Sequence, residues 1–197
     1  MSIRIIGITG TLGAGKGTVV EYLCRAPHNF EHYSARRLLN GIIAKQGLEP
    51  GRDSMRKVAN ELRQERGPAA VIEALFEEAV AAGKDAIIES VRTEGEVVAL
   101  RKSGKPFVLL AVDADQKIRY ERAVGRGSST DKVTFEEFCE QESVEMASQL
   151  PHEQNLSRCM ELADVRLTND GTVEEFQAKI DVFLSSAFSQ DGAEAKE

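Results

Sequence analysis

Short apolar runs alternate along the chain with longer segments in which apolar and polar residues are mixed. Four of these runs, at residues 3–9, 85–90, 106–112 and 164–168, are typical of buried strands, and residues 30–33 form a weaker candidate. Because their apolar residues are consecutive rather than alternate, these strands are expected to be covered on both faces, as in a parallel sheet between helices. The pattern predicts a three-layer α/β fold with a five-stranded parallel sheet and helices on both faces.

The first residues of several helices can also be recognised. Threonine stands three positions before glutamate at three places, which is the spacing of a capping box: Thr93 and Glu96, Thr134 and Glu137, and Thr172 and Glu175. Pro68, directly after Gly67, predicts a further helix that begins at this proline.

The stretch between the second predicted strand and the strand at 85–90 contains about three helical segments. A crossover between two parallel strands usually contains a single helix. We therefore expect an inserted helical arm over about residues 34–83, which grips a substrate or covers a site, or else is an extra structural helix pair.

Length and composition fit one domain, which we place at residues 1–188, followed by a polar tail at 189–197. The chain has 197 residues, 42% of them hydrophobic and 29% charged, as in ordinary globular proteins. Its net charge of −7 disfavours non-specific binding to nucleic acid or to an anionic membrane. We expect a cytoplasmic monomer or small homo-oligomer with reduced cysteines and with neither nucleic acid nor membrane as a partner.

A glycine-rich segment follows the first strand and carries the strongest chemical signal. It consists of Gly10, Thr11, Leu12, Gly13, Ala14, Gly15, Lys16, Gly17 and Thr18. In such a loop, backbone N–H groups surround a phosphate, the following helix adds its positive end, and the lysine reaches the β- and γ-phosphates. A flexible glycine turn would leave Lys16 unexplained. We predict that these nine residues bind ATP and that Lys16 is catalytic.

The residue directly after Lys16 is Gly17, where the usual motif has a Ser or Thr whose hydroxyl faces Mg²⁺. Thr18 is the predicted replacement. The segment GAGKGT resembles the loop of the nucleoside monophosphate kinases, the adenylate kinase-like family, and the resemblance continues in order along nearly the whole chain. It implies a P-loop kinase fold, ATP as phosphoryl donor, Mg²⁺ as cofactor and nucleotides as substrates. The overall pattern is most similar to an adenylate-kinase-related group whose substrates are often unassigned.

After the strand at 85–90, the family carries the motif D-G-x-P-R, whose arginine binds the acceptor phosphate. Arg92 matches this arginine, Glu89 stands for the aspartate and Ser90 for the glycine, while the proline is missing. The resemblance implies that Arg92 is catalytic and binds the acceptor. An arginine at the carboxyl end of a parallel strand also lies where α/β sheets bind ligands. An ion pair of Arg92 with a glutamate at 94 or 96 is the alternative. Glu89 is expected to hold Mg²⁺ through water, with an arginine pair as its alternative.

Two further residues are candidates for acceptor binding. Glu96 lies at the offset from Arg92 where adenylate kinases have a base-reading glutamine, although its capping box explains it without a ligand. The segment 34–40 (SARRLLN) resembles the entry to the acceptor-binding helix, but Asn40 replaces the phosphate-holding arginine. Arg36 is then the candidate, against a solvated basic helix start as the alternative.

Arg122 and Arg126 resemble the two arginines of the family's R-x-V-G-R lid entrance. Residues four apart lie on one helix face, so both can point at one nucleotide. The resemblance implies that Arg122 contacts the donor base and phosphates and that Arg126 contacts the transferring phosphoryl group. Favourable cations at a helix C-terminus are the alternative. We expect a short lid over about residues 126–134, in which Lys132 either adds charge or is solvated, and we expect Arg119 to face solvent.

The sequence thus predicts an ATP-dependent phosphotransferase that acts on a nucleoside monophosphate or a similar small phosphate-bearing acceptor. One alternative is an enzyme similar to dephospho-coenzyme A kinases, whose hydroxyl acceptor would require a carboxylate base, for which Glu89 is the candidate. Another is a nucleotide-dependent switch ATPase, although the chain lacks a D-E motor signature.

Overall fold

A five-stranded parallel sheet forms the middle layer of the molecule. The computed structural model describes residues 2–127, 133–148, 150 and 152–188. The strands lie in the order β2-β3-β1-β4-β5 and all their pairings are parallel. They are β1 (Ile5–Gly10), β2 (Glu31–Ser34), β3 (Ala86–Glu89), β4 (Phe107–Asp113) and β5 (Val165–Thr168). The predicted strands are therefore confirmed, with ends that differ by no more than two residues.

Helices cover both faces of this sheet. None of the described helices is long and apolar enough to cross a membrane. They are α1 (Lys16–Cys24), α2 (Ala35–Lys45), α3 (Arg52–Arg66), α4 (Ala70–Ala82), α5 (Glu94–Lys102), α6 (Gln116–Gly125), α7 (Phe135–Met146), α8 (Leu156–Glu161) and α9 (Val173–Ala187). The predicted three-layer fold is confirmed.

Alternate residues of the central strand enter two separate cores. Ile6 and Ile8 pack against α1 and α9, whereas Ile5 packs on the opposite face against α2–α5 and α8. We call this second cluster the arm-side core; it includes Ile5, Leu39, Val58, Ile72, Val97 and Cys159. Complete burial of one such aliphatic side chain stabilises the fold by about 1.5–3 kcal/mol. Helices therefore pack on both faces of the sheet and hold its strands in place.

All three predicted capping boxes are present, with both reciprocal hydrogen bonds in each. The helix expected to begin at Pro68 begins two residues later, at Ala70. Pro68 lies instead against the start of α5, where its carbonyl oxygen accepts a hydrogen bond from Oγ1 of Thr93 at 3.0 Å. A tertiary contact, which local sequence does not reveal, thus holds this proline in the turn before α4.

Helices α2, α3 and α4 form the insertion between β2 and β3. A buried ion pair joins this insertion to the rest of the fold: Arg63 of α3 and Glu96 of α5 lie 2.9 Å apart, with 2% and 0% of their side chains exposed. The insertion is therefore anchored to the first turn of α5, which follows the carboxyl end of β3.

Candidate active site

The glycine-rich loop lies between β1 and α1 and packs closely against two other segments. Gly13 and Gly15 have φ angles of 79° and 102°, in the left-handed region that favours glycine. A Cβ at Gly13 would lie 2.2 Å from the carbonyl oxygen of Arg119, and one at Gly15 would lie 2.2 Å from Nδ2 of Asn169. Both the backbone conformation and the close packing therefore require glycine at these two positions.

Lys16 is the first residue of α1, and its side chain folds back over the loop. Its Nζ donates to the carbonyl oxygens of Gly10 at 2.9 Å and Thr11 at 2.7 Å. Burial of the ammonium group, followed by the nearby Arg92 guanidinium, lowers the pKa of Lys16 to about 8. The lysine is thus held at the mouth of the loop, with its charge close to the end of β3.

Glu89, at the end of β3, faces His32 on the neighbouring strand β2. Nε2 of His32 lies 3.0 Å from Oε2 of the Glu89 carboxylate. Because an ionised carboxylate can only accept a hydrogen bond, Nε2–H of His32 is the donor. Burial alone would raise the pKa of Glu89, but the hydrogen bond and the charges of His32, Lys16 and Arg36 outweigh it and hold that pKa below its ordinary value. Glu89 is therefore an ionised carboxylate close to the phosphate loop.

The oxygen donors near the loop fit Mg²⁺, which prefers one or two carboxylates together with water and nucleotide phosphates. Glu89 supplies the carboxylate, and the hydroxyl of Thr18, on α1, has no partner in the described part of the chain. The described residues contain no cluster of three His, Cys, Asp or Glu side chains that could hold a metal ion by themselves. The donor set thus suits an ion that binds together with a nucleotide.

A cavity of about 300 Å³ opens beside the loop, between α2, α3, α7 and the carboxyl end of β3. Its charged lining has five arginines and two acids: Arg36, Arg52, Arg56, Arg63, Arg92, Asp53 and Glu145. Its apolar lining comes from Leu12, Ala35, Leu39, Met55, Ala59 and Val71. Even with Arg63 neutralised by Glu96, the lining keeps an excess of positive charge, which suits an anionic small molecule.

Arg92 reaches this cavity from the end of β3. Its Nη1 donates to Oε2 of Glu145 at 2.8 Å and to Oε1 of Gln154 at 2.7 Å. Two residues earlier, Ser90 has a φ of 74°, so it adopts the left-handed turn although it is not a glycine. Strained positions of this kind are frequent at functional sites. The side-chain partners of Arg92 are thus Glu145 and Gln154, and its acidic partner is neither Glu94 nor Glu96, the two glutamates expected from the sequence.

The structure corrects the expectation that Glu96 reads an acceptor base. Oε1 accepts from Nε and Nη2 of Arg63 at 3.1 and 2.9 Å, and Oε2 accepts from the backbone N–H groups of Arg92 and Thr93. Both oxygens are thus occupied, and the residue is completely buried. Glu96 is a structural carboxylate that fixes the backbone beside Arg92.

The expectation that Arg119 faces solvent is wrong, because this residue is 5% exposed. Its Nη2 donates to Oε1 of Glu142 at 3.0 Å, and its Nη1 donates to the carbonyl oxygen of Leu12 in the phosphate loop at 3.3 Å. Arg119 thereby fixes the loop to α6 and α7. The periodicity of α6 could not reveal this contact, which depends on how the helix packs.

Arg122 and Arg126 lie at the end of α6 on the loop side. Nη1 of Arg122 donates to the carbonyl oxygen of Asn169 at 2.8 Å, and Nδ2 of Asn169 donates to the carbonyl oxygen of Ala14 at 2.9 Å. The charge of Arg126 contributes to the lowered pKa of Lys16, so this guanidinium is also near the loop. Residues 128–132 of the expected lid, including Lys132, and the tail 189–197 lie outside the described residues.

Arg36 lines the cavity and has no hydrogen-bond partner in the described ranges, so its guanidinium is available to a ligand.

Glu142, Glu145 and Gln154 are site residues that the sequence did not reveal. The available signal was the spacing of three between Glu142 and Glu145 in the helix after Thr134, which places both carboxylates on one helix face.

Solved structures with this fold include several kinases. A Thermus thermophilus protein matches with a TM-score of 0.58 and 20% identity over 96% of this chain and 100% of its own. APS kinase from Mycobacterium tuberculosis, in complex with AMPPNP and APS, has a TM-score of 0.51 and 15% identity over 94% and 99%. Shikimate kinase from Aquifex aeolicus has a TM-score of 0.51 and 17% identity over 92% and 96%. The fold is thus that of P-loop kinase-like proteins.

Sequence comparison defines the family more closely. The model of the family described as AAA domain matches residues 6–147. A UPF0200 protein of Pyrobaculum aerophilum is 33% identical over 136 residues, which cover 69% of this chain and 74% of that protein. A UPF0200 protein of Hyperthermus butylicus is 30% identical over 188 residues, which cover 94% of this chain and 96% of that protein. The chain therefore carries an AAA domain and belongs to the UPF0200 family.

Proposed function

We propose that the protein is an ATP-dependent phosphotransferase that moves the γ-phosphoryl group of ATP to a nucleoside monophosphate or a similar small phosphate-bearing acceptor. The observation that carries this proposal is the arginine-lined cavity, whose lining includes Leu12 of the phosphate loop and Arg92, the guanidinium that lowers the pKa of Lys16. A site for hydrolysis alone would need a water molecule but not a second cavity for an anion.

On the donor side, the loop amides and Lys16 hold the β- and γ-phosphates of ATP. Arg122, fixed beside the loop through the carbonyl oxygen of Asn169, contacts the donor nucleotide. Glu89, through water, and Thr18 are the residues that would hold Mg²⁺, which neutralises charge on the phosphate oxygens when it is bound. The APS kinase neighbour was determined with AMPPNP, which supports ATP as the donor.

On the acceptor side, Arg92 and Arg36 bind the anionic group of the acceptor. A phosphate oxygen is already ionised, so no general base is needed for its attack on the γ-phosphorus. Phosphoryl transfer depends mainly on in-line positioning and on cancelling charge on the equatorial oxygens. Lys16, Arg122 and Arg126 supply that positive charge from the donor side, and a lid that closes after α6 would exclude water.

A second candidate is transfer to a hydroxyl group, as in enzymes similar to dephospho-coenzyme A kinases. The observation that favours it is the ionised Glu89 carboxylate near Lys16, which could accept the hydroxyl proton. The test is ADP formation from ATP across a panel of nucleoside monophosphates, deoxynucleotides and dephospho-coenzyme A. Stimulation by one member identifies the acceptor class, whereas unstimulated turnover with every member would support a switch ATPase instead.

The Arg92→Ala variant tests the acceptor assignment. It loses a charge-assisted contact of about 1.5–3 kcal/mol, so kcat/KM for the acceptor should fall by about tenfold to a hundredfold. KM for ATP should stay nearly constant, and Arg92→Lys should restore only part of the loss because an ammonium group lacks the planar fork. Arg101→Ala, a change at an exposed arginine paired with Asp164 near the amino end of β5, is the control. Equal losses for ATP and the acceptor would contradict the assignment.

A further inference from the structure

One face of α7 binds arginines from three different parts of the fold. Oε1 of Gln141 accepts from Arg52 of α3 at 2.8 Å, Glu142 binds Arg119 of α6, and Glu145 binds Arg92 after β3. Positions three and four apart share a helix face, which explains why these side chains act together. Helix α7 is thereby joined to the inserted arm, to the helix beside the phosphate loop and to the cavity.

Gln141 and Glu145 both line the cavity, but of the three α7 side chains only Glu145 brings a carboxylate into it. The side chains of Arg92 and Glu145 are 25% and 23% exposed. Burial alone would raise the pKa of Glu145, but the charge and hydrogen bond of Arg92 and the charges of Arg52 and Lys16 hold it below its ordinary value. A fixed negative charge therefore stands in a cavity that is otherwise mainly positive.

The guanidinium of Arg92 uses only one of its nitrogens in these contacts. Nη1 donates to both Glu145 and Gln154, while Nε and Nη2 have no acceptor among the described residues. Those two nitrogens form an edge that can bind two oxygens of a phosphate group. A phosphate on that edge would share one guanidinium with the Glu145 carboxylate, so the two like charges would lie close together.

We propose that Glu145 is a specificity-determining residue of the acceptor site, whose carboxylate discriminates against small free anions such as inorganic phosphate. This inference rests on the proposed function, in which Arg92 binds the anionic group of the acceptor. Repulsion by the Glu145 carboxylate weakens the binding of every oxyanion to Arg92. A complete acceptor compensates through its other contacts in the cavity, whereas a free phosphate ion has none. A repulsive group of this kind lets the site distinguish its acceptor from inorganic phosphate, which is a fragment of that acceptor.

The test is the affinity for inorganic phosphate, measured by titration calorimetry at constant ionic strength. The donor site is filled with Mg²⁺ and AMPPNP, so that phosphate cannot bind in the glycine-rich loop. The Glu145→Gln variant keeps an oxygen for the hydrogen bond with Arg92 and removes only the charge. We expect it to bind phosphate about threefold to thirtyfold more tightly than the unmodified protein, because a like charge at short range is removed.

Two control variants define where the effect originates. Glu140→Gln makes the same charge change at an exposed position of α7, and its phosphate affinity should stay within about twofold. Arg92→Ala should weaken phosphate binding by at least about tenfold, and adding Glu145→Gln to it should then give no gain. If circular dichroism shows that Glu145→Gln does not fold, Glu145→Asp withdraws the charge by one methylene group and should change the affinity in the same direction.

Tighter phosphate binding by Glu145→Gln is the decisive result, because the loss of a merely structural contact would weaken phosphate binding. Unchanged or weaker binding in Glu145→Gln, or no binding in either protein, overturns the inference. If Arg92→Ala still weakens binding in that case, the acceptor assignment of the proposed function stands. If Arg92→Ala binds phosphate as the unmodified protein does, both the inference and the acceptor assignment fail.

Discussion

At the scale of single residues, the lowered pKa of Lys16 predicts a pH dependence. In the proposed function the ammonium form binds the phosphates, and burial lowers its pKa to about 8. The charged form therefore predominates below pH 8 and is lost above it, so kcat/KM for ATP should fall by about tenfold per pH unit above pH 8. Lys16→Arg, which stays charged, should have lower activity without this fall. The same alkaline fall in both proteins would exclude Lys16 as its source.

Several site residues were recognisable from the sequence because their positions follow from local pattern. The spacing of the glycine-rich loop and its place after an apolar strand identify Lys16, and Arg92 follows the end of a predicted strand. Glu145 and Arg119 were not recognisable, because their roles depend on the face that α6 and α7 turn toward the loop. For Glu96 the sequence was misleading. The family resemblance suggested that this residue contacts a ligand, but both of its oxygens accept hydrogen bonds from Arg63 and from the backbone at the start of α5.

At the scale of the helices, the ion pair of Arg63 and Glu96 should dominate the attachment of the inserted arm. Glu96→Ala leaves a buried guanidinium without its partner and should lower the free energy of unfolding by about 3–5 kcal/mol. Glu94→Ala, in the same helical turn, removes an exposed pair with Arg158 and should cost less than about 1 kcal/mol. Urea denaturation followed by circular dichroism measures both. Similar costs for the two variants would show that the buried pair is not the anchor.

The local signals for secondary structure agree with the fold because each needs only a few neighbouring residues. The three capping boxes are formed as their spacing predicts, and the apolar runs are strands. The start of α4 differs because Pro68 is held by Thr93, which is 25 positions away in the chain. Contacts over such separations decide where elements end, and no pattern within a single segment contains them.

At the scale of the whole molecule, α7 links the phosphate loop, through Glu142 and Arg119, to the arginine-lined cavity, through Glu145 and Arg92. Hydrogen exchange should therefore slow in α2, α3, α6 and α7 when AMPPNP and the acceptor found in the panel bind together. AMPPNP alone should protect mainly residues 10–18. Helix α9, on the opposite face of the sheet, should be unaffected and is the internal control. Protection confined to residues 10–18 with both ligands would contradict closure of the arm and lid.

The arm-side core also contains a chemical reporter of its own opening. Cys159 is completely buried there, and burial raises the pKa of its thiol to about 12, whereas Cys24 and Cys139 are partly exposed. Since alkylating reagents react with the thiolate, Cys159 is labelled only when this core separates and admits water. Its labelling rate distinguishes an arm that moves over an intact core from one that moves by partial unfolding, without any introduced probe.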